Sequence, residues 1–247
     1  MIDLTIKIFI CLFFCFIVIL MIIKRFVYFR PTSNFIKTFK NYTPIYINKI
    51  YGWKLENNDN NKIILFCHGN KGNISHREWK YNKLQNLGYN IITFDYSGYG
   101  KSSGVPSEEI CYDNAGTYIS FILQTYKIED IILYGESLGG AVASYVARKY
   151  NIPTLILEST FPSIKSLIFS KTSKLSFLSF LFSEFNTCLY LDGYKGRSLL
   201  LHSIDDDVIS YNTIIELLPF VTKHIQMSGI HNNVKIPWNS IKEFIDN

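Results

Sequence analysis

Residues 131–143, IILYGESLGGAVA, decide the fold. The stretch opens as a short β-branched apolar run and continues, from Leu138 to Ala147, as small and apolar residues at helical spacing. A buried strand therefore passes into a helix through a sharp turn at Ser137, which stands between Gly135 and Gly139. That pattern is the G-x-S-x-G nucleophile elbow, in which glycines clear the space around a strained strand-to-helix turn so that one hydroxyl is left exposed. The N–H groups and positive dipole end of the following helix lie beside that oxygen. The same pentapeptide can be a plain Gly/Ser turn, so a base, an acid and an oxyanion site elsewhere in the chain must decide between the two.

Working outward, short apolar runs alternate with helical patterns on both sides of the elbow. The segment 42–61 reads as a pair of strands and a polar loop. KIILFCHGN (62–70) reads as a buried strand ending in glycine, followed by a helix over about Ser75–Leu87 stopped by Gly88. NIITFDYSGYG (90–100) is the next strand, leading to a helix over about Glu108–Tyr126. Asp130–Tyr134 is the strand before the elbow, Leu138–Tyr150 the helix after it, and PTLILEST (153–160) another strand. An interruption over roughly 161–191 is read as a cap insertion. The alternation then resumes with RSLLLHS (197–203), a helix near 211–218, the strand KHIQMS (223–228) and a last helix near 237–246. Such alternation indicates an α/β fold, a mostly parallel sheet with helices on both faces, over 31–247.

The chain of 247 residues is long enough for one full core, with hydrophobic residues at 48% and charged ones at 18%. Its net charge of +5 is mild and its Lys and Arg are scattered, which argues against a nucleic-acid partner. Cys11, Cys15, Cys67, Cys111 and Cys188 are odd in number and lack framework spacing, as suits a reducing compartment. GKSSG (100–104) lacks the spacing of a phosphate-cradling loop, no cluster has metal-ligand spacing, and no cofactor is expected.

Ile8–Ile23, IFICLFFCFIVILMII, is sixteen residues without a charge. At 1.5 Å per residue it spans about 24 Å, and it reaches the roughly 30 Å hydrocarbon core once Ile6, Phe26 and Val27 join it and Lys7 and Lys24 snorkel. No small-x-small cleavage site follows, so an uncleaved anchor over 1–30 is favoured over a signal peptide. Lys24, Arg25 and Arg30, with Lys37 and Lys40 beyond, outweigh Lys7 and Asp3, and the positive-inside rule puts the bulk of the chain in the cytoplasm. Sequons occur at Asn41 and Asn73, and a glycan at Asn73 would obstruct the loop beside the elbow, which agrees with that placement.

Ser137 needs a base, and there are five histidines. His68 follows a strand in an H-G pair that shapes a loop. His76 opens a helix, and His202 and His224 belong to strands, which gives each a structural role. His231 lies in SGIHNN, a polar loop after the last strand from which a ring can reach the top of the sheet, so it is the expected general base and acid. The acid that holds its tautomer should end another strand. LLLHSIDDDVI offers Asp205, Asp206 and Asp207, with Glu158 as runner-up. Leu138, following the nucleophile, supplies one oxyanion donor, and Asn70, after the H-G pair, is the expected owner of the other.

LFCHGNKGNISHRE, DYSGYGKSSGVPSE, YGESLGGAVA and the terminal GIHNN together resemble the α/β-hydrolase fold in its membrane-anchored bud-emergence-like branch, over about residues 40–247. The resemblance implies a serine hydrolase with a single N-terminal span. Carried over residue by residue, it puts the nucleophile on Ser137, the base on His231, the acid on Asp206 within HSIDDDVIS, and an oxyanion donor on Asn70. The sequence departs from the family pattern at Ser97, at Arg197 and Ser198, and at Ser203 and Ser210, where arginine, proline, glycine and proline are usual.

Function follows as the cleavage of an acyl ester or thioester through a Ser-His-Asp triad and an acyl-enzyme, with an ester, thioester or lipid substrate drawn from a membrane pool. The alternatives are a serine peptidase and a membrane interaction protein that keeps the fold without activity. Within the insertion, Leu175, Leu178, Phe182 and Phe185 follow helical spacing, which suits a cap helix on the core or a lipid-facing lid.

Overall fold

The structure, a computed structural model, describes residues 4–36, 42–57, 61–169, 182 and 184–247. In chain order its elements are α1 (Leu4–Tyr28), β1 (Arg30–Pro31), β2 (Thr43–Ile47), β3 (Ile50–Leu55), β4 (Ile63–Cys67), β5 (Lys71–Gly72), α2 (Glu78–Asn86), β6 (Asn90–Phe94) and α3 (Glu108–Ile122). There follow β7 (Ile131–Glu136), α4 (Leu138–Tyr150), β8 (Thr154–Glu158), α5 (Ile164–Phe169), α6 (Thr187–Leu191), β9 (Arg197–Ser203), α7 (Tyr211–Ile214), β10 (Lys223–Met227) and α8 (Trp238–Asp246).

Strands β4, β6 and β8 are buried at every residue, and β7 is buried up to Tyr134 and Gly135. Helices cover both faces of the sheet, so these strands read as unbroken apolar runs with no polar alternation. The faces still divide by parity. Ile63, Leu65 and Cys67 of β4 pack with Ala141, Val142 and Val146 of α4, while Ile64 and Phe66 pack on the other side with Tyr81, Leu84, Ile241 and Ile245. The eight-stranded sheet has the order β10-β9-β8-β7-β4-β6-β3-β2, antiparallel only where β3 meets β2 and β6. The chain leaves β4 for β6 on one side and returns to β7 on the other. At such a switch point the loops after two adjacent parallel strands part and leave a crevice at their C-terminal ends. Here they are the His68–Asn70 loop and the elbow.

Helix α1 contains a 23-residue segment, Ile6–Tyr28, long and apolar enough to cross a membrane. Tyr28 and Phe29, inside the span expected for the anchor, are buried in the core, edge-on to Phe185 at 6.3 and 5.9 Å. The next two residues form β1, which pairs in parallel with β5. Two-residue strands leave no periodicity to read, and neither was expected from the sequence.

Three further expectations change in detail. The helix near 211–218 is α7 followed by a 3-10 turn, Ile215–Phe220, that contains Pro219, which lacks the N–H an α-helix would use there. The helix expected to run to Tyr126 stops at Ile122, and the following residues form turns. Of the insertion, residues 161–169, Phe182 and the residues from Glu184 onward are described, with Phe182 half-buried beside Phe169, while Leu175 and Leu178 lie outside the described residues. Phe185 is fully buried against Tyr28, Phe29 and Tyr112, so it is a core residue and cannot be the lipid-facing position of a lid.

Candidate active site

Ser137 sits between the end of β7 and the first turn of α4 with φ 53° and ψ −116°, a conformation that costs a non-glycine residue of order 1–3 kcal/mol. Its surroundings hold it there. Ser137 N–H donates to Glu158 C=O at 2.8 Å, and Ser137 C=O accepts from Gly140 N–H at 2.9 Å and from Thr160 Oγ1 at 2.8 Å. The glycines are required by contact: a Cβ on Gly139 would stand 2.0 Å from the Cys67 carbonyl oxygen, and one on Gly135 2.4 Å from that of Gly139. Helix α4 thereby lies directly on the end of β4. Leu138 opens α4, so its N–H is among the first-turn donors a helix cannot satisfy internally.

The acidic run divides three ways. Asp205 accepts from Gly229 N–H at 3.2 Å and Asp207 from His231 N–H at 3.0 Å, so both brace the loop after β10. Asp206 Oδ2 meets His231 Nδ1 at 2.7 Å, while its Oδ1 accepts the N–H groups of Val208 and Ile209 at 2.9 and 2.7 Å. Burial alone would push the Asp206 carboxyl up, but the His231 hydrogen bond and charge and the two amides outweigh it, and the carboxyl is held below its usual range. A carboxylate only accepts, so Nδ1 carries the proton and Nε2 is left as the basic nitrogen. Ser203, where the family has glycine, donates to Gly229 C=O at 2.6 Å and accepts Asp205 N–H at 3.1 Å, tying the acid loop to the histidine loop.

The other expected participants fall elsewhere. Glu158, the runner-up acid, is buried with Lys80 Nζ at 2.6 Å and Tyr134 Oη at 2.6 Å. His68 is fully buried, donates through Nδ1 to Gly69 C=O at 2.7 Å, and is pushed down to about 3 by burial and by the Arg77 guanidinium. It is therefore neutral at ordinary pH and shapes the loop. His202 donates through Nε2 to Ile209 C=O at 2.9 Å and supports the acid loop from beneath.

Ser137, Leu138, Gly69, Asn70 and His231 border one cavity of about 380 Å³. One part of its remaining wall is apolar, with Phe161, Ile164, Leu167, Ile168 and Ile209, and another is charged, with Arg30, Lys71, Arg77 and Glu136. Asn70 is fixed through its carbonyl, which accepts from Arg30 N–H at 3.0 Å and from Tyr99 Oη at 2.7 Å. A second cavity of about 690 Å³ continues past His231 and Asn232. Among the described residues no group of three or more His, Cys, Asp or Glu side chains is placed to hold a metal ion.

Sequence reasoning missed an ionic network directly behind Ser137. Arg77 Nε donates to Glu136 Oε2 at 3.0 Å, and Lys80 Nζ lies 3.6 Å from Glu136 Oε1 while bonding Glu158. Burial would push the Glu136 carboxyl up, but Arg77 and Lys80 outweigh it and hold it at about 2. The signal was available in Glu136 itself, the residue before the elbow serine, an acid in an otherwise apolar run. Because its folded pKa lies below the unfolded value, the network stabilises fully above about pH 4.5 and loses that contribution as pH falls from there through about 2. Denaturant unfolding across pH 2.5–6 should show this acid limb in the wild type and a shallower one in Glu136→Gln; equal limbs would remove Glu136 from the explanation.

A sheet of this order, with a glycine-flanked serine on a strained elbow and a carboxylate-bound histidine on the same cavity, defines a hydrolase of the α/β class. The comparisons agree. A family profile described as alpha/beta hydrolase fold matches residues 62–192, more than half of the 247, and the chain belongs to that family. It is 30% identical over 213 residues to an uncharacterised protein of Acanthamoeba polyphaga mimivirus, covering 74% of this chain and 71% of that one. It is 29% identical over 180 residues to alpha/beta hydrolase domain-containing protein 17C of Mus musculus, covering 70% of this chain and 55% of that one, so it spans about half the length of that relative. Among solved structures, the esterase Pf2001 of Pyrococcus furiosus superposes with a TM-score of 0.69 at 20% identity, over 88% of this chain and 97% of that one, a likeness of fold.

Proposed function

We propose that this chain is a membrane-anchored serine hydrolase that cleaves acyl esters or thioesters, with an anchor over residues 1–30 and a hydrolase domain over 31–247 capped at about 161–191. Ser137 attacks the acyl carbonyl, His231 takes its proton and returns it to the leaving group, and Asp206 holds the imidazole tautomer and stabilises the imidazolium. The N–H groups of Leu138 and Asn70 receive the oxyanion. Water, activated by the same imidazole, then releases the acid. The observation that carries this reading is the 2.7 Å contact of His231 Nδ1 with Asp206, made by a histidine that borders the same cavity as Ser137. The apolar wall of that cavity supports an acyl substituent.

The anchor rests on the length and composition of Ile6–Tyr28. A cytoplasmic hydrolase domain is supported by Asn73, whose sequon is unusable in the fold: its side chain is fully buried, donates to Thr32 and Asn34 carbonyls at 3.0 and 2.9 Å, and accepts from Ser75 N–H at 3.0 Å. A glycan added there before folding would prevent this packing. Membranes carrying the wild type are expected to label with a fluorophosphonate probe, with labelling lost in Ser137→Ala and in His231→Ala. An impermeant version of the probe should label only after permeabilisation. A folded wild type that never labels would sink the hydrolase assignment, and labelling of intact cells would reverse the topology.

A further inference from the structure

The two cavities join along a shared wall of Arg30, Lys71, Arg77, Glu136, His231 and Asn232. Ser137, Leu138 and Asn70 border the smaller alone, whereas the larger lacks them and runs on to Trp79 and Lys80. In the acyl transfer proposed above, the leaving group takes its proton from the imidazole, so it must sit on the histidine side, and the acyl chain extends the other way. The apolar wall of Phe161, Ile164, Leu167 and Ile168, which only the smaller cavity has, thus belongs to the acyl chain, and the shared wall beside His231, continued by the larger cavity, to the alcohol or thiol that departs.

The wall the two cavities share is cationic. Arg30, Lys71 and Arg77 stand on it with His231, against Glu136, and Lys80 follows in the larger cavity. Arg77 and Lys80 are neutralised by Glu136 and Glu158. Arg30 and Lys71 are exposed and, among the described residues, form no ion pair with a carboxylate. They are also register partners in the parallel β1–β5 pair, so their side chains leave the same face of adjacent strands, about 5 Å apart at the backbone. Two unneutralised cations held side by side at the leaving-group end of an acyl-transfer site match the oxygens of one phosphate group.

We infer that Arg30 and Lys71 seat a phosphate on the leaving-group side of the scissile bond, so that the preferred substrate is an acyl ester or thioester whose alcohol or thiol carries phosphate. The inference rests on the acyl-transfer reading of Ser137 and His231. The phosphate could be that of a glycerophosphate lipid or that of a nucleotide-bearing thiol, and matched substrate pairs separate the two.

The test uses the full-length protein in nanodiscs of neutral lipid at low ionic strength. The values of kcat/KM would be compared for monooleoylglycerol against its phosphate, oleoyl glycerol phosphate, and for an acyl pantetheine against the acyl coenzyme A. The expected result is a preference of about tenfold for the phosphate-bearing member of at least one pair, the pair identifying the source. That ratio should fall toward one in the Arg30→Gln/Lys71→Gln double variant and should shrink with added salt in the wild type. A wild type that turns over both members of both pairs equally while still labelling at Ser137 would overturn the inference and leave the hydrolase reading standing. So would a preference that survives in the double variant. If instead turnover of monooleoylglycerol rises with anionic lipid in the disc and only this rise is lost in the double variant, the cations bind the membrane surface and the inference falls. Absence of both labelling and turnover would remove the acyl-transfer reading and this inference with it.

Discussion

Replacing Asp206 with Asn is expected to lower kcat by about 10⁴-fold, although the substitution changes one atom. The geometry gives the reason. Oδ1 of residue 206 accepts two backbone N–H groups, so the amide oxygen must take that place and the amide nitrogen must face His231. The ring then meets a donor where it met an acceptor, Nδ1 becomes the accepting nitrogen, and the proton moves to Nε2, where it blocks abstraction from Ser137. Ser137→Ala, His231→Ala and the double variant should each lose on the order of 10⁶-fold, without additivity, because the two groups act in one step. The check is kcat on a short-chain ester for all four variants, with thermal unfolding to show that each is folded. An Asp206→Asn enzyme within tenfold of wild type would transfer the acid role to another carboxylate. Multiplicative losses at Ser137 and His231 would mean that they do not act together.

How far this site was legible depends on how local its signals are. The elbow is fully local: two glycines, a serine, an apolar strand before and a small-residue helix after occupy thirteen positions, and Leu138–Tyr150 forms the helix over the expected range. His231 was reachable because a loop after the last strand has one destination in a parallel sheet. Asp205, Asp206 and Asp207 were not separable from their spacing, since all three serve the same loop and differ only in which atom of it each meets. The motif resemblance selected Asp206, and the contact with His231 falls on that residue. What the sequence could not display is pairing between distant short segments. Arg30 beside Lys71, by backbone pairing, and Arg77 against Glu136, by side chains, join positions dozens of residues apart whose charges, read singly, pass for ordinary surface charge. Phe185 misled for the related reason that helical spacing gives the face of a residue but not what covers it, and here the end of α1 covers it.

That cover makes the end of α1 part of the hydrolase fold, and a pair of truncations should expose it. A chain beginning at Val27 keeps Tyr28 and Phe29 in the core and Arg30 bonded to Asn70, and it should match the full chain in stability and in turnover of a water-soluble ester. A chain beginning at Asn34 removes both aromatics, and a buried phenylalanine alone is worth about 3–5 kcal/mol. For a domain of this size that is on the order of 10 °C in Tm. It also removes β1, and with it the Arg30 N–H bond to Asn70 C=O at 3.0 Å, the Thr32 N–H bond to Gly72 C=O at 3.4 Å and the Thr32 carbonyl that receives the Asn73 amide at 3.0 Å. The loop that presents Asn70 would then keep only Tyr99 on that carbonyl. Loss of a positioned oxyanion donor costs about 10²–10³ in kcat, so the shorter chain should be impaired beyond its loss of stability, even when assayed well below its Tm. Equal Tm and equal kcat for the two chains would mean that α1 is only a tether. A lower Tm with unchanged kcat would leave Tyr28 and Phe29 as core residues and relieve β1 of any part in holding the oxyanion loop.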